Sequence, residues 1–304
     1  MRASLLLLGV CVAASGCDTS PRQGQANPLS VPIVRDVQLV QSISLPTFYQ
    51  PTGIAVGPEG VYVANGHRRR IHRYDHDGNL IGNFPASHFD LGDSLQLVVG
   101  LALEDGVLWA TDKRTVWGLD PVSFTILHVV PLRETSTVAH ASDVAVSGSA
   151  VFVLDRAGNT ATEYTRGGSF VAQYGGPGLG PFDYREPLGV AAQGRLVWVA
   201  DHLWRRVLLW DVNSITTPTV VALIEDPLPI GFGPASFAPF GIEVDSTTLY
   251  VCDSVSDSVL TYNALDGTPL GGFDALSPYD VAIYDGKAWV TERQLDRISV
   301  WELP

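Results

Sequence analysis

Six stretches of this chain are written on one template. Residues 51–74 read PTGIAVGPEGVYVANGHRRRIHRY, 187–210 read PLGVAAQGRLVWVADHLWRRVLLW, and 278–301 read PYDVAIYDGKAWVTERQLDRISVW. Between them fall 98–119 (VVGLALEDGVLWATDKRTVWGL), 141–164 (ASDVAVSGSAVFVLDRAGNTATEY) and 239–262 (PFGIEVDSTTLYVCDSVSDSVLTY). A period of about 40–50 residues with several short strands per unit is the signature of a propeller. Asp77-Gly78, Asp105-Gly106, Asp266-Gly267 and Asp285-Gly286 separate β-rich runs, and such pairs are strong hairpin signals. No segment has a helical period. The fold class expected is all-β, a six-bladed β-propeller with four antiparallel strands per blade.

The units align residue by residue. Gly53, Gly100, Asp143, Gly189, Gly241 and Asp280 head the inner strands. Tyr62, Trp109, Phe152, Trp198, Tyr250 and Trp289 form an aromatic series on the second strands. Six such rings on equivalent faces would fill the wedges between neighbouring sheets, each contributing about 2–3 kcal/mol of burial. Asn65, Asp112, Asp155, Asp201, Asp253 and Glu292 end those strands. Arg70, Arg206 and Arg297 are placed to pair with Asn65, Asp201 and Glu292. The chain stops just after the third strand of its last unit, and residues 37–45 (VQLVQSISL) alternate apolar and polar. That segment is expected to supply the missing fourth strand and close the ring, which removes an open sheet edge.

The first residues read as a targeting segment rather than as part of the fold. Arg2 is a short positive region, and Ser4 to Ala14 an apolar run too short to span a bilayer as a helix. Ala14-Ser15-Gly16-Cys17 resembles the lipobox of bacterial lipoproteins, which implies cleavage before Cys17 and lipidation of that cysteine. The expected domains are therefore a signal peptide (1–16), a lipidated Cys17 with a Pro/Gln/Ser-rich flexible tether (17–35), and the propeller (36–304). The implied location is the cell envelope, membrane-anchored and facing the periplasm or exterior. Cys11 would leave with the signal, so Cys252 is the only thiol left, and no internal disulfide can form. The formal net charge of −13 makes nucleic acid a poor partner.

The motifs P-x-G-[IV]-A-V, V-[YW]-V-A-[DN] and R-[IV] resemble the NHL repeat over residues 37–304. The linkers 175–189 and 231–241 are similar to the Gly-rich, Phe-Pro connections between NHL units. The resemblance implies a six-bladed propeller that binds on one face, here called the top. That face carries the loops from second to third strand and from fourth strand to the next inner strand. Ten basic residues fall in the second-to-third crossings. The candidate binding residues are His67, Arg68, Arg69, Lys113, Arg114, Phe182, Tyr184, Trp204, Arg205, Phe237 and Tyr279. Arginine beside aromatic rings suits recognition of carboxylates, sugars or a protein surface.

An enzyme reading needs groups at the channel mouth. The seven histidines share no repeat position, and no Gly-x-Ser-x-Gly elbow or P-loop occurs. No catalytic residue is assigned. Glu243 stands where the other inner strands carry Ala55, Ala102, Ala145, Ala191 and Ala282. A buried carboxylate is costly unless paired or metal-bound. Glu243 and Asp280 are accordingly candidate ligands for calcium or another divalent cation, or else Glu243 turns into a wet channel and holds nothing specific. The expected function is a lipid-anchored binding or scaffold protein without a cofactor, recognising a protein or extracytoplasmic polymer through the top loops. The alternative is a cation-dependent propeller enzyme, a lyase or lactone hydrolase, with its site at the channel mouth.

Overall fold

The computed structural model describes residues 37–45, 50–65, 69–85, 99–133, 140–212, 219–225 and 237–304. Strand β1 is Gln38–Ser44. Blade 1 follows as β2 (Ile54–Gly57), β3 (Gly60–Asn65), β4 (Arg70–Tyr74) and β5 (Leu80–Pro85). Blade 2 is β6 (Leu101–Glu104), β7 (Val107–Asp112), β8 (Thr115–Leu119) and β9 (Ile126–Pro131). Blade 3 is β10 (Ala141–Ser147), β11 (Ala150–Asp155), β12 (Thr160–Thr165) and β13 (Phe170–Tyr174). Blade 4 is β14 (Pro187–Gln193), β15 (Leu196–Asp201), β16 (Arg206–Asp211) and β17 (Thr219–Glu225). Blade 5 is β18 (Pro239–Asp245), β19 (Thr248–Asp253), β20 (Ser258–Asn263) and β21 (Pro269–Asp274). Blade 6 has β22 (Pro278–Tyr284), β23 (Lys287–Glu292) and β24 (Arg297–Glu302), and its outer strand is β1, in the order β22-β23-β24-β1.

Every sheet is a four-stranded antiparallel meander, so the expected fold is the observed one. The closing strand pairs from Gln38 with Glu302 to Ser44 with Arg297. The two-residue turns at Asp105-Gly106 and Asp285-Gly286 hold both residues at positive φ, the geometry that matches strand twist and explains the Asp-Gly choice. The wedge aromatics are all buried, each in a cluster shared by two neighbouring blades. Cys252 is a free, buried thiol among them. Residues 1–36, which include Cys17, the signal and the tether, lie outside the described residues. No described helix is long and apolar enough to cross a membrane.

Candidate functional site

The top face is built by repeated locks. The aspartate ending a second strand turns its carboxylate on the incoming loop: His140 N–H donates to Asp155 at 3.0 Å, Arg185 N–H to Asp201 at 2.9 Å, and Ala238 N–H to Asp253 at 2.8 Å. The sequence pairs three members of this series, Asn65, Asp201 and Glu292, with arginines. Arg206 does reach Asp201 (3.5 Å), and Arg297 contacts Glu292, whereas Arg70 is exposed. A second lock uses the last residue of the second-to-third crossing, which sits in the left-handed region. Asn159, Asp257 and Asp296 accept there from the backbone N–H of Glu186, Ser277 and Gln50 at 2.8, 2.9 and 2.7 Å. Blades 1 and 4 carry Arg69 (φ 54°) and Arg205 (φ 56°) at this position. Arginine lacks an acceptor, so these two break the pattern, at backbone angles uncommon outside glycine and Asx residues.

The predicted binding residues do not form one cluster. His67 and Arg68 lie outside the described residues. Arg69 and Arg114 are exposed and Lys113 half-buried, on blades 1 and 2. Phe182 is exposed, and Trp204, Arg205 and Tyr279 are half-buried, in the loops of blades 4 to 6. Two assignments are corrected. Tyr184 is 1% exposed, packed against Trp210 inside the seam between blades 3 and 4, and Phe237 is 0% exposed in the seam between blades 4 and 5. Both rings turn into the core, so neither is offered to a partner.

Around the axis the top carries a ladder that sequence reading missed. His202 lies 4.5 Å from Phe240, Phe240 lies 5.1 Å from Tyr279, and the Arg293 guanidinium lies 4.9 Å from the Tyr279 ring centre. Arg293 also donates to Gln50 Oε1 at 3.0 Å. Burial lowers the His202 pKa and raises that of Tyr279. Phe240 and Tyr279 occupy the slot before the inner-strand Gly or Asp, which holds Thr52, Val99, Ser142 and Leu188 elsewhere. The change to aromatic rings in two adjacent blades was the available signal.

Beneath the ladder the channel is pinched. In blades 3 to 6 a β-bulge sits at the head of the inner strand, and such bulges re-aim a side chain. Asp143 Oδ2 accepts from Val190 N–H of the next blade at 2.8 Å, and Asp280 Oδ2 accepts from Ile54 N–H at 2.9 Å. The four glycines let backbone pass backbone: a Cβ on Gly53 would run into Val99 O, and one on Gly189 into Phe240 O. Only a gap of about 10 Å³ remains on the top side of this ring. On the other side lies a cavity of about 340 Å³, lined by Glu104, Asp143, Glu243 and Asp280 among others. Its far end is the bottom face, where Gln193, Asp245 and Ser246 are exposed.

Glu243 therefore does line the channel, half-buried, with Val244 N–H donating to its Oε1 at 3.0 Å. Burial, together with the charge of Asp280, pushes its pKa up to about 8. Burial likewise raises Asp143 to about 8, and raises Asp280, which Asp143 repels across the axis. Buried carboxylates that repel one another do not all ionise at neutral pH. Among the described residues no group of three or more His, Cys, Asp or Glu converges as a metal site. The structure thus brings Glu243 and Asp280 to one channel without a third ligand in coordinating position.

No protein-family model and no curated protein matches the chain. Solved structures do. A gluconolactonase of Xanthomonas campestris matches with a TM-score of 0.63 at 14% identity, covering 94% of this chain and 96% of that one. A calcium-binding regucalcin of Agrobacterium tumefaciens gives 0.64 at 14% identity, covering 83% and 90%. Hydrazine synthase of Kuenenia stuttgartiensis gives 0.56 at 12%, covering 83% of each. At such identities the likeness shows the propeller fold alone.

Proposed function

We propose that this chain is a lipid-anchored, NHL-type propeller of the bacterial envelope that holds a protein partner on its top face. One observation carries the reading. Leu179, Phe182, Leu203, Val255, Leu276 and Leu295 are large, apolar and exposed, and all six lie in top loops of blades 4 to 6 or the loop entering them. Leu179 is 86% exposed. They share these loops and blades with the His202–Phe240–Tyr279–Arg293 ladder. Exposed apolar side chains with aromatic and arginine anchors are what partner proteins bury. The direction of β1 supports the same face. It enters the ring at the bottom, beside Glu302, and runs upward to Ser44. The tether from a lipid on Cys17 would thus join the ring at its bottom face and leave the top free of it.

The test is photocrosslinking in cells from positions 203 and 276, with position 265 on a bottom turn as control. A discrete crosslinked species is expected from the top positions, absent from 265 and lost in Phe182→Asp. Equal crosslinking from both faces would end this reading. Cys17→Ala should move the protein from membrane to soluble fraction.

A second reading, a cation-dependent channel enzyme, is favoured by Glu243 in the channel and by the gluconolactonase and calcium-binding relatives in fold. It requires stoichiometric calcium binding by calorimetry, lost in Glu243→Gln and in Asp280→Asn. No heat from the intact chain would remove it.

A further inference from the structure

We propose that the top of blades 1 to 3 holds an acidic, Asp/Glu-rich segment of the protein partner. The proposal rests on the top-face reading above and names the chemistry of that partner. Among the described residues, exposed charge sorts by face. On the top, Arg69, Arg70, Arg114, Arg156 and Arg185 are exposed, against Asp257 and Asp274. At the bottom, Glu59, Asp77, Asp105, Asp245, Asp266, Asp285 and Glu302 are exposed, against Arg195. The whole chain carries a formal net charge of −13, so an arginine surface is a local departure from the rest of the molecule.

The top face itself divides in two. The five arginines form an arc through the crossings of blades 1, 2 and 3 and the loop into blade 4. The exposed leucines, Val255 and Phe182 lie in that loop and in blades 4 to 6, and both exposed acids lie in blade 5. The carboxylates under the arc are buried and taken up by backbone. Asp112 accepts from Lys113 N–H at 2.7 Å, and Asp155 accepts from His140, Ala157 and Gly158 N–H at 3.0 Å each. Arg156 contacts Glu186, yet its side chain stays 56% exposed. Arg133, in the loop from blade 2 to blade 3, is turned aside, with its guanidinium 4.8 Å from the Phe170 ring centre.

The two halves together select the occupant. Arginine donates and never accepts, and its planar fork matches a carboxylate. A small free anion would use the arc and leave the apolar half bare. Nucleic acid stacks its bases on exposed aromatic rings, and the described top loops of the arginine half expose none. A bilayer surrounds every inserted apolar side chain with headgroups, whereas here leucine and arginine occupy separate half-rings. A protein surface with apolar side chains on one side and carboxylates on the other covers both halves at once, and its charges match those it meets.

The test is fluorescence anisotropy of a short labelled polyglutamate peptide with the purified chain. Binding is expected at low salt and should weaken as screening sets in near about 0.15 M. Arg114→Glu with Arg156→Glu should lower the affinity about tenfold. Arg195→Glu with Lys287→Glu makes the same change of charge on the bottom face and should leave the affinity unchanged. No binding of polyglutamate, or equal losses in the two double variants, would overturn the proposal. So would binding of phosphatidylglycerol vesicles alone, lost in the top double variant, which would make a bilayer the occupant. Photocrosslinking from positions 203 and 276 separates this inference from the reading beneath it. The crosslinked species should fade in the top double variant. A species that persists undiminished would overturn the acidic segment and leave the top-face partner standing. No species from the unaltered chain would remove the partner, and polyglutamate binding would then decide the arginine arc by itself.

Discussion

Blades 1–3 and blades 4–6 are two versions of one half-ring. Both run Gly, Gly, Asp at the channel pinch: Gly53, Gly100 and Asp143, then Gly189, Gly241 and Asp280. Both aspartates reach one blade forward, to Val190 and to Ile54. A hydroxyl of the preceding blade also ties the chain where each half begins, Ser142 to Pro187 O at 2.9 Å and Thr291 to Thr52 O at 2.8 Å, although from positions that do not correspond. Both halves put arginine in the left-handed slot of their first blade. The halves differ elsewhere. Ala102 of the first half answers to Glu243 of the second, Val99 and Ser142 answer to Phe240 and Tyr279, and Phe152 answers to Trp289. What the halves share is the machinery of ring closure. What only the second half carries is the Phe240–Tyr279 pair and the channel carboxylate Glu243.

The strongest way to break this comparison is at the shared glycines. Gly53→Ala and Gly189→Ala each drive a methyl into a carbonyl of the next blade, and each should cost about 3 kcal/mol in urea unfolding. The losses should match. A large loss from one and none from the other would mean that the halves are not equivalent.

The aspartates come next. Asp143 and Asp280 have folded-state pKa values raised above their unfolded ones, first by burial, then by the charge of Glu243 on Asp143 and of Asp143 on Asp280. The folded state therefore binds the extra protons. Their stabilising contribution is complete below the unfolded pKa near 4 and is lost as pH rises toward about 8. Asp143→Asn and Asp280→Asn should each raise stability at pH 9, by about 2 kcal/mol or some 5 °C in thermal midpoint, with little change at pH 4. The double variant should gain less than the sum, because removing either charge relieves the other. A gain at pH 4 that equals the gain at pH 9 would refute the titration.

Glu243→Ala sharpens the contrast, since it writes the first half's residue into the second. Its folded pKa of about 8 gives the same sign: a gain of about 1 kcal/mol at pH 9 that shrinks toward pH 5. A loss at pH 9 would show that the carboxylate stabilises the ring through a bound partner, and would favour the cation reading.

Much of the ring was legible because repetition multiplies weak signals. One Tyr62 says little, but six aromatics in register define a wedge, and the lone alternation of 37–45 gained meaning from a last unit short of one strand. The site was less legible because it depends on side chains that leave the pattern. Top-loop position did not reveal that Tyr184 and Phe237 turn inward, since the inward fold of a loop is decided by the core it caps. Asp201 does meet Arg206 as its position suggests, but the Arg185 backbone N–H is nearer. The wedge between blades 6 and 1 joins His76 to Tyr284 and Trp289, residues at opposite ends of the chain that meet only once the ring has closed.

The smallest expected effect isolates that last difference. Trp198 and Trp289 hold the same place in blades 4 and 6, are 1% and 3% exposed, and fill equivalent wedges. Trp198→Phe removes ring volume and a satisfied bond to Ala264 O, leaving that carbonyl without its donor. Trp289→Phe removes similar volume and a donor that already lacked an acceptor. The volume terms nearly cancel between the two, so Trp198→Phe should cost about 1 kcal/mol more than Trp289→Phe in urea unfolding. Equal losses would place a hidden acceptor beside Trp289.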